Sequence, residues 1–103
     1  MLLSHILEGL TLLDFATPRN VDYEEDHAAR MDAFRSTLDD LSMGHLRDAY
    51  IMCVAVIAAI RAAAHTHAVD FGVDSPLLQT RGFYDLMERR DIISSAMSQT
   101  SFV

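Results

Sequence analysis

The chain has 103 residues, half of them apolar, which suffices for one domain with a modest core and argues against disorder. Fifteen Asp and Glu stand against eight Arg and no Lys, a net charge of −7, so the basic footprint that direct nucleic-acid binding needs is missing. Cys53 is the sole cysteine, which excludes a disulfide framework and argues against a Cys-based zinc site.

In chain order, the first helix is predicted over residues 4–15, with Ser4 as its N-cap and Leu3, Ile6, Leu7, Leu10 and Leu13 as its buried stripe. His5 and Glu8 project away from that stripe, towards solvent. Pro18 forbids continuation and biases Thr17 towards extended geometry. The second helix is predicted over 22–41, opening with Asp22, Glu24, Glu25 and Asp26 against the positive end of its macrodipole. Met31, Phe34, Leu38 and Leu41 repeat at coiled-coil spacing, and Tyr23 and His27 extend the stripe. The remaining acids Asp32, Asp39 and Asp40 face water or meet the arginines of the next helix. Ser42 and Gly44 mark a short turn, which predicts that helices two and three are antiparallel neighbours.

The third helix, over 46–68 with Ser42 as the N-cap before it, is the stretch around which the fold is expected to organise. It is rich in Ala and lacks Gly and Pro, so propensity and hydrophobicity agree. Leu46, Cys53, Val56, Ile57, Ile60 and Ala64 share a large-residue face. Asp48, Ala55, Ala59, Ala62 and Thr66 lie opposite, on a face of mostly small side chains that let another helix approach, so both faces are expected to meet protein. A membrane span is disfavoured: the uncharged run 49–60 is well short of the ~20 residues a bilayer requires, and Arg47 and Arg61 bracket it. The N-terminus lacks the basic region and cleavage site of a signal peptide, so a soluble cytoplasmic protein is expected.

Beyond it, Gly72 suits a left-handed helix end, and Ser75 with Pro76 reads as an N-cap followed by proline at the first helical position. The last helical region carries Leu78, Phe83, Leu86, Ile93 and Met97 on one stripe with Arg90 among them, and Gly82 is the candidate point of division. The tail, 98–103, is polar and expected to fray. The expected architecture is all-α: one domain over 1–103, a small antiparallel helical bundle of four helices, or five if Gly82 divides the last, around a long apolar central helix.

Candidate functional residues fall into two sets. Arg47, Arg61 and His65 share a stripe of the third helix and, with Arg90, are candidates for contacting anions or an acidic partner surface, since the guanidinium fork matches carboxylates and phosphates. Glu24 and His27 form an E-x-x-H pair, whose i, i+3 spacing aims two ligands at one ion, as in carboxylate-bridged di-iron bundles. The second such pair those sites need is absent unless a homodimer supplies it. His67 with Asp70 has ligand spacing too, with His45 and Glu88 as recruits. No glycine-rich phosphate loop, H-E-x-x-H or G-x-S-x-G elbow occurs.

The leading expectation is a non-catalytic protein–protein interaction module without a cofactor, a homodimer acting as a small regulatory, adaptor or inhibitor protein towards another protein. The alternatives are a bundle holding a divalent metal or small ligand through Glu24 and His27, and an acidic mimic of nucleic acid in which Glu24, Glu25, Asp26, Asp32, Asp39 and Asp40 stand in for phosphates.

Overall fold

The structure, a computed structural model, describes residues 2–19 and 23–100, with the side chains of the second helix described from His27 onward. It is all-α. Among the described residues there are four α-helices, α1 (Leu2–Ile6), α2 (Tyr23–Leu38), α3 (Met43–Phe71) and α4 (Arg81–Thr100), two single 3-10 turns (Leu12–Phe15 and Pro76–Gln79), and no strand. The predicted start of α2 at Asp22, the residue Asn20 and the last three residues of the tail lie outside the described residues.

The N-terminal region differs most from its expected form. Instead of one helix over 4–15, α1 stops at Ile6, and Gly9 takes a left-handed φ of 77° that no helix interior accommodates. The chain restarts at Thr11, whose backbone N–H donates to Asp14 Oδ2 at 2.8 Å and whose hydroxyl shares the same oxygen at 3.3 Å. The following 3-10 turn leaves Leu13 66% exposed, against its expected burial, while Ile6 enters the core. Thr17 to Arg19 then run beside the start of α4: Pro18 and Thr80 form an isolated antiparallel bridge, flanked by Arg19 N–H to Gln79 O and Arg81 N–H to Thr17 O, both 3.0 Å.

Elsewhere the local chemistry matches the elements. Ser42 caps α3 by accepting from the His45 N–H at 3.2 Å, and α3 ends at Gly72 with φ 70°. Ser75 caps the second 3-10 turn, with Pro76 at its first position. The division of the last region falls at Thr80, whose extended backbone separates that turn from α4, and not at Gly82. Gly82 lies buried inside α4 for a packing reason: a Cβ there would stand 2.8 Å from the Phe15 ring.

The core joins Ile6, Phe34, Leu38, Leu46, Ala49, Cys53, Ile57, Phe83, Leu86 and Ile93. Here α4 touches α3, α2 and both 3-10 turns, and α1 packs on α3. The predicted pairing of α2 with α3 gives way to one of α2 with α4, because Phe34, His27 and Arg30 of α2 turn towards Arg89 and Asp85 of α4. The molecule measures 50 × 28 × 22 Å. Its radius of gyration is 14.7 Å, where a compact chain of this length has about 13 Å, so α3 is a spine that extends past its neighbours.

Replacing Gly82 by Ala should displace the Phe15 ring and destabilise the fold by about 1–2 kcal/mol, the overpacking cost outweighing the roughly 1 kcal/mol gain in helix propensity. Urea denaturation followed by circular dichroism at 222 nm measures it.

Candidate functional site

Two features have the character of sites: a buried ion network on one side of α4 and an uncovered face of α3. In the network, α4 places Arg81, Asp85 and Arg89 four residues apart, hence on one face. Asp85 is fully buried. It accepts a short hydrogen bond from Arg30 Nη2, and its other oxygen lies 3.2 Å from His27 Nδ1, both partners coming from α2. Asp14, brought in by the first 3-10 turn, accepts from Arg81 Nε at 2.7 Å and Arg30 Nη2 at 3.4 Å in addition to Thr11. Burial pushes the Asp14 carboxyl up, but the Thr11 N–H and the Arg81 and Arg30 guanidinium groups together hold it below its ordinary value. Arg89, 1% exposed, donates from Nη1 to the Ile6 carbonyl at 2.8 Å and lies 4.8 Å over the Phe34 ring. Burial lowers its pKa, and the nearby Asp85 charge opposes that shift. Three guanidinium groups thus surround two buried carboxylates, with the Nε atoms of Arg30 and Arg89 buried and unpartnered.

The network accounts for His27. Nδ1 faces Asp85, and Nε2 lies 3.7 Å from Glu88, so the two ring nitrogens point to different carboxylates and do not converge on one ion. The Glu24 side chain lies outside the described residues. His67 packs its ring against Phe71 at 4.9 Å, with Nδ1 buried and unpartnered, and Asp70 is exposed. Among the described residues no group of three or more His, Cys, Asp or Glu is arranged to hold a metal. Cys53 donates to the Leu86 carbonyl at 3.4 Å, and burial pushes its thiol up to about 11, far from the thiolate that nucleophilic chemistry needs.

An open cleft of about 460 Å³ lies where the end of α2, the start of α3 and the second half of α4 meet. Its apolar floor includes Leu38, Leu41, Leu46 and Ile92, and Asp39, Glu88 and Asp91 stand among its walls. Arg35, also in the wall, pairs with Asp32 at 2.9 Å.

The second feature is a face of the long helix that the chain's own elements do not cover, where protein on both faces is expected. Leu46, Ala49, Cys53, Ile57 and Ala64 are buried, yet Ala55, Ala58, Ala59 and Ala62 are exposed, together with Ile51 at 58% and Val69 at 68%. Arg47, Arg61 and His65 border this face, all exposed. Among the described residues none of them pairs with a carboxylate; Arg61 lies 5.7 Å over the Phe83 ring. Arg90 is on a different element and pairs with Asp91 at 3.3 Å, so the four candidate anchors do not form one patch. With 29 residues, α3 is by length and composition long and apolar enough to cross a membrane, a longer stretch than the uncharged run suggests, and only 22% of its most apolar window is buried.

The residues missed in the sequence are Asp14, Arg30, Arg81, Asp85 and Arg89. A signal was present: Arg81, Asp85 and Arg89 alternate in sign at i, i+4 along one face of their helix, beside its apolar stripe. Compared with protein-family models, curated proteins and solved structures, the chain matches none of them.

Asp85→Asn removes the closer of the two buried counter-charges of Arg30, leaving Asp14 alone, and should cost up to about 3–5 kcal/mol, a large share of the stability of a domain this size. A urea titration of the variant measures it. The folded pKa of Asp14 lies below its unfolded value of about 4, so its contribution is present above that pH and lost as pH falls through the folded value. Asp14→Asn should therefore be less stable than the parent at pH 7, with the difference narrowing below about pH 4, as read from melting temperatures across that range.

Proposed function

We propose that the chain is a non-catalytic protein–protein interaction module of the cytoplasm, working as a homodimer that regulates, bridges or inhibits another protein. The observation that carries this reading is the outward face of α3, where Ile51, Val54, Val69 and a run of alanines stand in solvent although the opposite side of the helix is committed to a core. Exposed apolar area on that scale is normally covered by a partner.

The finer architecture belongs to the same reading. Cys53 meets Leu86, Arg61 meets Phe83, and Leu46 and Ile92 share a cleft, contacts that favour α4 running back along α3 in a small antiparallel bundle. In such a bundle α3 becomes a central helix once its outward face is covered.

Native mass spectrometry of protein purified without chelators tests the proposal. A dimer of apoprotein mass is expected. A monomer over a wide concentration range sinks the homodimer, and a near-stoichiometric retained metal turns attention to Glu24 and His27. The double substitution Ile51→Glu and Ala58→Glu should convert the dimer to a monomer while leaving the helical signal intact, because both positions are exposed within the single chain.

A further inference from the structure

On a helix turning 100° per residue, Ile51, Ala55, Ala58, Ala62 and Val69 run down the middle of the uncovered α3 face. The charges beside them are sorted by sign. Arg47, Arg61 and His65 lie to one side of that line, and Asp48, about 20° round the helix from Ala55, and Asp70 lie to the other, all five exposed. The two flanks restrict how two copies of this face meet. A two-fold axis perpendicular to α3, which makes the helices antiparallel, sets each flank against its own copy, arginine near arginine and aspartate near aspartate. A two-fold axis parallel to α3 sets the basic flank of one copy against the acidic flank of the other at the same height. Arg47 and Asp48 are adjacent in the chain, one helical rise of about 1.5 Å apart, so the parallel arrangement brings Arg47 of each copy to Asp48 of the other.

We infer that the outward face of α3 is the seat of a second copy of this chain, paired in parallel, with two reciprocal Arg47–Asp48 ion pairs that select the direction of pairing. The inference rests on the homodimer reading and deepens it. The alanines allow the two backbones to approach at the short end of the 8–10 Å range for packed helices, and Ile51 and Val69 pack against their own copies above and below. Like-charge juxtaposition disfavours the antiparallel alternative, the usual means by which charges choose among otherwise similar helix pairings. A lipid surface is a poorer occupant of the same face: helices lying on membranes carry a basic polar side, whereas this chain has a net charge of −7 and places aspartates along the face.

Charge reversal on single chains is the test. Arg47→Asp sets acid against acid at both pairs, and Asp48→Arg sets base against base, so each variant alone should dimerise at least about tenfold more weakly than the parent by analytical ultracentrifugation. Mixed in equal amounts, the two variants restore both pairs with opposite signs, and native mass spectrometry should show mainly the mixed dimer. In a second experiment, Ile51→Cys should form an intersubunit disulfide with its own copy under mild oxidation, which an antiparallel pairing centred on Ala58 forbids because it holds the two positions about 20 Å apart. If the parent is a dimer but single reversals leave it unchanged, or mixing yields no heterodimer, the parallel pairing is wrong and the homodimer reading survives. A parent that is monomeric at every concentration removes both. Recovery of the parent as a monomer bound to phosphatidylserine–phosphatidylcholine vesicles would overturn the inference in favour of a lipid occupant.

Discussion

A buried aspartate cannot stay ionised beside apolar side chains unless cations are brought to it, and in this protein that requirement joins parts of the chain that have little else in common. Asp85 draws Arg30 and His27 from α2, and Arg81 and Arg30 reach Asp14 in the N-terminal 3-10 turn. Arg89 holds the last carbonyl of α1 through Ile6. The N-terminal segment packs Ile6, Leu7, Leu10 and Phe15 against the core, while Leu12 and Leu13 face solvent. Its attachment is therefore mixed, apolar through α1 on α3 and polar through one face of α4. Such a network is weak evidence for high stability, since each charge had to leave water. Its value lies in specifying position: Arg30 in reach of both carboxylates allows α2 only one seating against α4.

The other side of the molecule follows a different rule. α3 buries one side against α4 and α1 and leaves the opposite side, largely alanine, in water. Alanine favours helix at little cost when exposed, so α3 needs no cover to exist as a helix. The face is long and made mostly of small side chains, with arginines on one side and aspartates on the other. Those properties suit another helix better than a pocket-bound ligand, and they separate the surface available for association from the polar interior that holds the chain together.

Much of the fold was legible residue by residue. The caps at Ser42, Gly72 and Ser75 with Pro76 act through local backbone geometry, and the stripe of Met31, Phe34 and Leu38 is set by helical period alone. The N-terminal helix was misread because leucine periodicity outweighed Gly9, whose left-handed backbone breaks the helix. Gly82 was misread as a break, although its reason is the distant Phe15 ring. Arg90 drew notice as the cation on an apolar stripe, while the neighbouring Arg89 is the one that enters the interior, a choice made by the rotation of α4 against α2 and α1.

By itself, then, the sequence determined the all-α class, the caps at Ser42 and Gly72 that bound α3, and which side of α3 carries large side chains, because capping and periodicity act over a few residues. Only the tertiary structure decided that α2 packs on α4, that Asp14, Arg30, Asp85 and Arg89 meet in the interior, and that the small-residue side of α3 is left open. Those outcomes depend on which distant elements compete for the same buried face, and no local pattern records the result of that competition.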